Sequence, residues 1–226
     1  MQILVLMQYI LNWGDNMKKV IIDCDPGIDD SLALMLALTS KELEILGITV
    51  VSGNVELHQA TENAFQSLKL MGCESIPVYK GESVPLIREY HDATDTHGMD
   101  GLGETFYPKT GLIAKEEHAA DFILDTIRKN PGEVTLVALG PLTNIAKAIR
   151  KDKAVMSQVK EFIFMGGAAQ YHGNCSPVAE YNFWVDPEAA DEVLKSGFAK
   201  GIMVGFDVTH QIVLTPNLRE VIISFA

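Results

Sequence analysis

Cysteine is scarce in this chain, and its three copies, Cys24, Cys73 and Cys175, form no CxxC pair. The odd count and wide spacing argue against a disulfide framework or a zinc site, so a reducing, cytoplasmic setting is the default expectation. Positive charge is also in short supply. Against 30 Asp and Glu stand 18 Lys and Arg, a formal net charge of −12, and no basic run concentrates them. That balance lacks the electrostatic footprint of a nucleic-acid binder and suits a small ligand that is neutral or assisted by a cation. No apolar run reaches the roughly 20 residues of a membrane span. The apolar segment Met1 to Leu11 has neither a positively charged flank before it nor a small-residue cleavage site after it. Met17-Lys18-Lys19 therefore reads as the natural start, with residues 1–16 as an upstream extension. Internal repeats, low-complexity stretches and linkers are missing too. The 226 residues, 47% of them hydrophobic, fit one large domain with a substantial core.

What is present is an alternation. Short apolar, β-rich runs at Val20–Ile22, Ile45–Val50, Ile76–Tyr79, Val134–Ala138, Phe162–Phe164 and Gly201–Val204 are separated by segments with helical spacing. Leu57, Ala60, Ala64, Leu68 and Met71 form one such stripe, and Phe122, Ile123 and Ile127 another; both read as core. Alternation of this kind means parallel βαβ units, hence an α/β fold with an open, mostly parallel, Rossmann-like sheet and flanking helices. The stretch from Lys80 to Lys115, rich in Gly, Pro, Asp and His, has no period. It reads equally as a solvated loop or as a lid carrying His97.

In an open parallel sheet, ligands sit beyond the carboxyl ends of the strands. The polar clusters of this chain fall at those ends. After the first strand comes Asp23-Cys24-Asp25-Pro26-Gly27-Ile28-Asp29-Asp30, four carboxylates at one strand-to-helix corner. Residues two apart on a strand share a face, so Asp23 and Asp25 point one way and Cys24 the other. Asp29 and Asp30 open the following helix, where unpaired N–H groups favour carboxylates. A capped helix explains one of these aspartates, or two, but not four. Repulsion among them is relieved most simply by an oxygen-seeking cation such as Ca²⁺ or Mg²⁺. After later strands come Ser52-Gly53-Asn54, Leu139-Gly140-Pro141-Leu142-Thr143-Asn144, Met165-Gly166-Gly167 and the irregular loop Asn174 to Asn182. That last loop sets two carboxamides and Glu180 together, a combination that matches the mixed donor and acceptor character of a sugar diol.

On these residues the chain resembles the nucleoside hydrolases, which cleave the N-glycosidic bond of ribonucleosides using bound Ca²⁺. The DxDPGxDD corner is their signature. Gly53-Asn54, Gly140 to Asn144, Met165-Gly166-Gly167, Ser176 to Asn182 and Asp186-Pro187-Glu188-Ala189-Ala190 follow in the family's order. The resemblance covers Lys18 onward. It implies the nucleoside hydrolase fold and a general-base role for Asp25, with Asp23, Asp25, Asp30 and the Leu139 backbone carbonyl around Ca²⁺. Asp29, Asn54, Asn174, Glu180 and Asn182 would hold the ribose hydroxyls. A small-molecule ribonucleoside as the partner, no nucleic acid, no membrane and a homo-oligomer, dimer or tetramer, are implied as well. Family members also carry a further aspartate ligand and commonly a histidine near the leaving base, and no residue here matches either. The resemblance therefore implies either Ca²⁺-dependent ribonucleoside hydrolysis or a relative that binds nucleoside or ribose without turnover. His210, in Asp207-Val208-Thr209-His210, reads as structural.

Overall fold

The computed structural model describes residues 17–213 and 215–224. The segment read as an upstream extension, residues 1–16, lies outside them. Six strands form one sheet: β1 Lys18–Cys24, β2 Leu43–Val50, β3 Val78–Lys80, β4 Val134–Ala138, β5 Glu161–Met165 and β6 Gly201–Val204. Their order is β3-β2-β1-β4-β5-β6, and every neighbouring pair is parallel. All six expected strands exist. The third starts later than the sequence suggested because Pro77 accepts a hydrogen bond from Ile48, at 2.9 Å, but has no N–H to return one.

Alternation along the strands feeds two cores. Val20, Ile22 and Cys24 of β1 join Ile48 and Val50 of β2 on one face, beneath helices Ile28–Thr39 and Leu57–Leu70. Ile21, Leu136 and Phe162 fill the other, beneath helices Ala119–Lys129, Thr143–Lys151 and Pro187–Leu194. The first helix shows how sequence sets this arrangement. Ala33, Leu34 and Ala37 recur at helical spacing and are buried, while Leu32 on the far side is exposed.

Between β3 and the helix Ala119–Lys129 there is a single helical turn, Thr94–His97. The rest of this long connection is tied to the body, as where Gln66 Nε2 donates to the Pro108 carbonyl at 2.7 Å, and is in part ordered by its own polar groups. Asp100 accepts from the backbone N–H groups of Leu102 at 2.9 Å, Glu104 at 2.8 Å and Phe106 at 2.7 Å. Among the described residues no helix is long and apolar enough to cross a membrane.

Strand β2 carries a glycine for a reason of close approach. Its register against β1 slips between Val20 and Ile21, and Gly47 lies there with the Phe122 ring over its Cα. Phe122 in turn stacks on Tyr79, with ring centroids 3.7 Å apart. A methyl at position 47 would stand 2.6 Å from Phe122 Cζ. Gly47→Ala is expected to destabilise the chain by about 1–3 kcal/mol through overpacking, read as a lower Tm by circular dichroism. An unchanged Tm would mean that the stacked pair yields freely.

Candidate active site

Strand order reverses direction between β1 and β4, and a crevice opens there beyond their carboxyl ends. It holds a cavity of about 1030 Å³. Asp25, Asp29, Asp30, Asn54, His97, Leu139, Asn174, Glu180 and Asn182 all line it, so nine of the ten residues singled out from sequence converge on one space. Asp23 is the exception. It is fully buried beneath the cavity on the β1 face opposite Cys24, where its Oδ1 accepts from Thr49 Oγ1 at 2.5 Å and Asn144 Nδ2 at 2.8 Å. Thr49 is its register partner on β2, and Asn144 lies in the first turn of the helix Thr143–Lys151 that follows β4.

The aspartate corner is short of hydrogen-bond donors. Asp25 is 1% exposed; its Oδ2 accepts from the Asn54 N–H at 2.8 Å. Gly53 and Gly140 press on this carboxylate from two sides so closely that a Cβ on either would overlap it. Asp30 Oδ2 accepts from Asn54 Nδ2 at 3.1 Å and from the Gly27 N–H at 3.3 Å. One oxygen each of Asp23, Asp25, Asp29 and Asp30 is buried and has no hydrogen-bond partner at all.

Electrostatics follow from that shortage. Burial pushes the Asp23 carboxyl up to about 7, against the opposing hydrogen bonds from Asn144 and Thr49. Asp30 is pushed up to about 8, first by burial and then by the Asp29 charge. Burial and the Asp30 charge raise Asp25 well above the carboxylate range. Such a site holds either protons or a compensating cation. Among the described residues no three His, Cys, Asp or Glu side chains are spaced to hold a metal ion by themselves. The orphaned oxygens nonetheless fit a hard cation, since they are oxygen donors with nothing else to bind, and the Leu139 carbonyl adds a neutral donor beside them. That carbonyl accepts from Asn182 Nδ2 at 2.7 Å and retains a second lone pair.

On the opposite wall, Glu180 caps the helix Tyr181–Val185. Its carboxylate accepts from the N–H groups of Asn182 at 3.0 Å, Gly167 at 2.8 Å and Phe183 at 3.4 Å, and burial still raises its pKa. Gly167 adopts φ +73°, a conformation that glycine supplies, and a side chain there would strike the Phe183 ring. Asn174 Oδ1 accepts from the Tyr181 N–H at 2.9 Å.

His97 is pinned against the corner. Its Nδ1 accepts from the Ile28 N–H at 3.1 Å and lies 3.9 Å from Asp29 Oδ1, while burial lowers its pKa against the pull of that carboxylate. The long connection thus lies across the site.

Sequence reasoning passed over Trp184, which lines the cavity with its ring tilted against His91 at 5.4 Å. The signal was its spacing of three from Tyr181, legible only once Glu180 is known to start a helix. His210, read as structural, reaches the cavity edge. It stacks on Tyr171 at 4.1 Å, and its Nδ1 lies 2.6 Å from the Phe206 carbonyl.

Known proteins share this arrangement. The family profile described as inosine-uridine preferring nucleoside hydrolase matches residues 20–224. The inosine-uridine preferring nucleoside hydrolase of Leishmania major is 43% identical over 208 residues, 90% of this chain and 65% of that protein. Uridine nucleosidase 1 of Arabidopsis thaliana is 45% identical over 201 residues, 88% of this chain and 60% of that one. Among solved structures, a purine-preferring ribonucleoside hydrolase from Gardnerella vaginalis superposes with a TM-score of 0.84 at 38% identity, covering 88% of this chain and 64% of that one. The chain thus spans 60% to 65% of the length of these relatives. With the signature corner, the strand order and the family profile in agreement over nearly all described residues, the chain belongs to the inosine-uridine preferring nucleoside hydrolase family.

Proposed function

We propose that this chain hydrolyses the N-glycosidic bond of ribonucleosides to ribose and free base in the presence of Ca²⁺. The observation that carries the reading is the set of four buried, unpartnered carboxylate oxygens, three on residues lining a cavity walled by Asn174, Glu180 and Asn182 and the fourth on Asp23 beneath it. The relatives named nucleoside hydrolase and uridine nucleosidase support the reaction class. Asp23, Asp25, Asp30 and the Leu139 carbonyl would hold the cation. When bound, Ca²⁺ supplies a fixed positive charge that offsets these carboxylates and acidifies water.

The chain's own residues do the rest. Asp25, its Oδ2 fixed by Asn54, offers Oδ1 to take a proton from the attacking water. The water oxygen bonds to the anomeric carbon as the C–N bond breaks, and the base departs with that electron pair. The ribose becomes oxocarbenium-like on the way, and Asp29 and Glu180, both lining the cavity, stabilise its positive charge. Asn54, Asn174 and Asn182 add carboxamides that donate to and accept from the sugar hydroxyls. The alternative reading is nucleoside or ribose binding in the same cavity without turnover.

Ribose release from inosine, adenosine, uridine and cytidine, with Ca²⁺ or with chelator, separates the two readings. Under the hydrolase reading release is chelator-sensitive, and Asp25→Ala lowers it by about 10²–10⁴-fold with the circular dichroism spectrum retained. Full release by Asp25→Ala removes that residue from the mechanism. Saturable, Ca²⁺-dependent nucleoside binding with no ribose released favours the second reading.

The carboxylates also set a pH dependence. Asp23 and Asp30 hold protons in the folded chain up to pH of about 7 and about 8, whereas their unfolded value is 3.8. The native state therefore binds more protons across that window, and stability of the cation-free chain falls as pH rises from about 4 towards 8. Ca²⁺ replaces those protons, so its stabilising effect is expected to be larger at pH 8 than at pH 5. Thermal melts at the two pH values, with chelator and with excess Ca²⁺, check this. An equal Ca²⁺ effect at both would sink it.

A further inference from the structure

Two tyrosines outside the aspartate corner meet at one atom. Tyr181 donates its hydroxyl to the Gly53 carbonyl at 2.8 Å, and Tyr90 donates to the same carbonyl at 3.0 Å. Tyr181 opens the helix after Glu180, and Tyr90 comes from the long connection after β3. Gly53 lies after β2, so three separate segments are tied at this point. Burial pushes both phenols well above their ordinary pKa, which keeps them as donors throughout the physiological range.

The Gly53 carbonyl is one end of a rigid plane. A trans peptide is planar, so the Gly53 C=O and the Asn54 N–H point in opposite directions and cannot turn independently. That Asn54 N–H is the donor to Asp25 Oδ2, at 2.8 Å. Gly53 has to be glycine, because a Cβ would overlap the Asp25 carboxylate and crowd Pro141. The same lack of a side chain leaves the backbone at this position free to rotate, more than any other residue would allow. Something else must hold the peptide.

We infer that Tyr90 and Tyr181 are positioning residues for Asp25, gripping the Gly53 carbonyl and so aiming the Asn54 N–H at the Asp25 carboxylate. The inference rests on Asp25 being the base of the proposed reaction. Hydrogen bonds at the two ends of one peptide also polarise each other, so donors on the carbonyl strengthen the N–H on the far side. Two tyrosines are needed because Tyr181 has a single hydroxyl hydrogen and a second acceptor, the His91 carbonyl, at 3.0 Å.

The experiment uses the full chain with Tyr90→Phe, Tyr181→Phe and the double variant, beside Tyr107→Phe as an exposed control. The first readout needs no activity: the backbone amide of Asn54 in a ¹⁵N-labelled sample. In the double variant its proton resonance moves upfield and its exchange with solvent speeds by about tenfold or more, while Tyr107→Phe leaves both unchanged. The second readout is ribose release. Tyr90 does not line the cavity, so Tyr90→Phe lowers kcat by about threefold to tenfold with KM within about twofold, the pattern of a misaimed base rather than a lost substrate contact. An Asn54 amide unaltered in the folded double variant overturns the inference, as does a Tyr90→Phe enzyme with undiminished kcat. A parent chain that releases no ribose refutes the hydrolase reading instead, and the amide readout then decides the tyrosine grip alone. If the double variant does not fold, the same shift in each single variant, about half as large, decides it.

Discussion

Too many carboxylates for too few donors, all out of water, is the constraint around which this structure is arranged. Asp23, Asp25 and Asp30 are buried to 3% exposure or less, and with Asp29 each leaves one buried oxygen unpartnered. Leaving a charged group buried and unpaired costs several kcal/mol or shifts it to its neutral form, so a fold selected for stability alone would not collect four of them. The parallel sheet carries that cost. Its two apolar faces, each covered by helices, supply the burial that holds an under-bonded polar corner in place at one end. Stability is stored in the sheet and spent at the strand ends, where loops meet.

Around the corner, glycines and asparagines divide the labour. Gly53 and Gly140 remove side chains so that backbone can close on the Asp25 carboxylate. Asn144 and Asn54 put back part of the lost solvation. Asn144 bonds Asp23 and the Val50 carbonyl at once, and Asn54 bonds Asp25 and Asp30. An amide suits this work because it donates and accepts without adding charge. A lysine or arginine in the same place would neutralise the corner permanently and close it to any cation.

Most of this was legible in the sequence, for physical reasons that can be traced. Strands buried on both faces are continuous apolar runs, which is why Val20–Ile22 and Val134–Ala138 stand out. The aspartate corner showed itself through its density of one residue type in a place where the chain must turn. What stayed hidden depends on distance along the chain. Asp23 and Asp25 alternate onto the same face, yet only the cavity's shape separates the buried one from the one at its surface. The Tyr90 and Tyr181 hydroxyls meet Gly53 from 37 and 128 positions away, and no local pattern announces such a meeting. Trp184 was missed for the same reason: an aromatic side chain looks the same in a sequence whether it fills a core or walls a cavity.

In the proposed reaction, the residues assigned to the sugar and those assigned to the cation overlap. Asn54 lines the cavity while its side chain bonds Asp30 and its backbone bonds Asp25. Asn182 lines it too, with its amide on the Leu139 carbonyl. Any hydroxyl that displaces or recruits one of these amides changes what remains for the carboxylates and the carbonyl behind it. Ligand and cation binding are then linked through the same hydrogen-bonding groups, and linkage of this kind is reciprocal. A substitution at Asn54 or Asn182 therefore cannot report on sugar recognition alone. Under the proposed function, the residues that would separate the two are those assigned to one side only: Asn174 and Glu180 to the sugar, and Asp23, beneath the floor, to the cation.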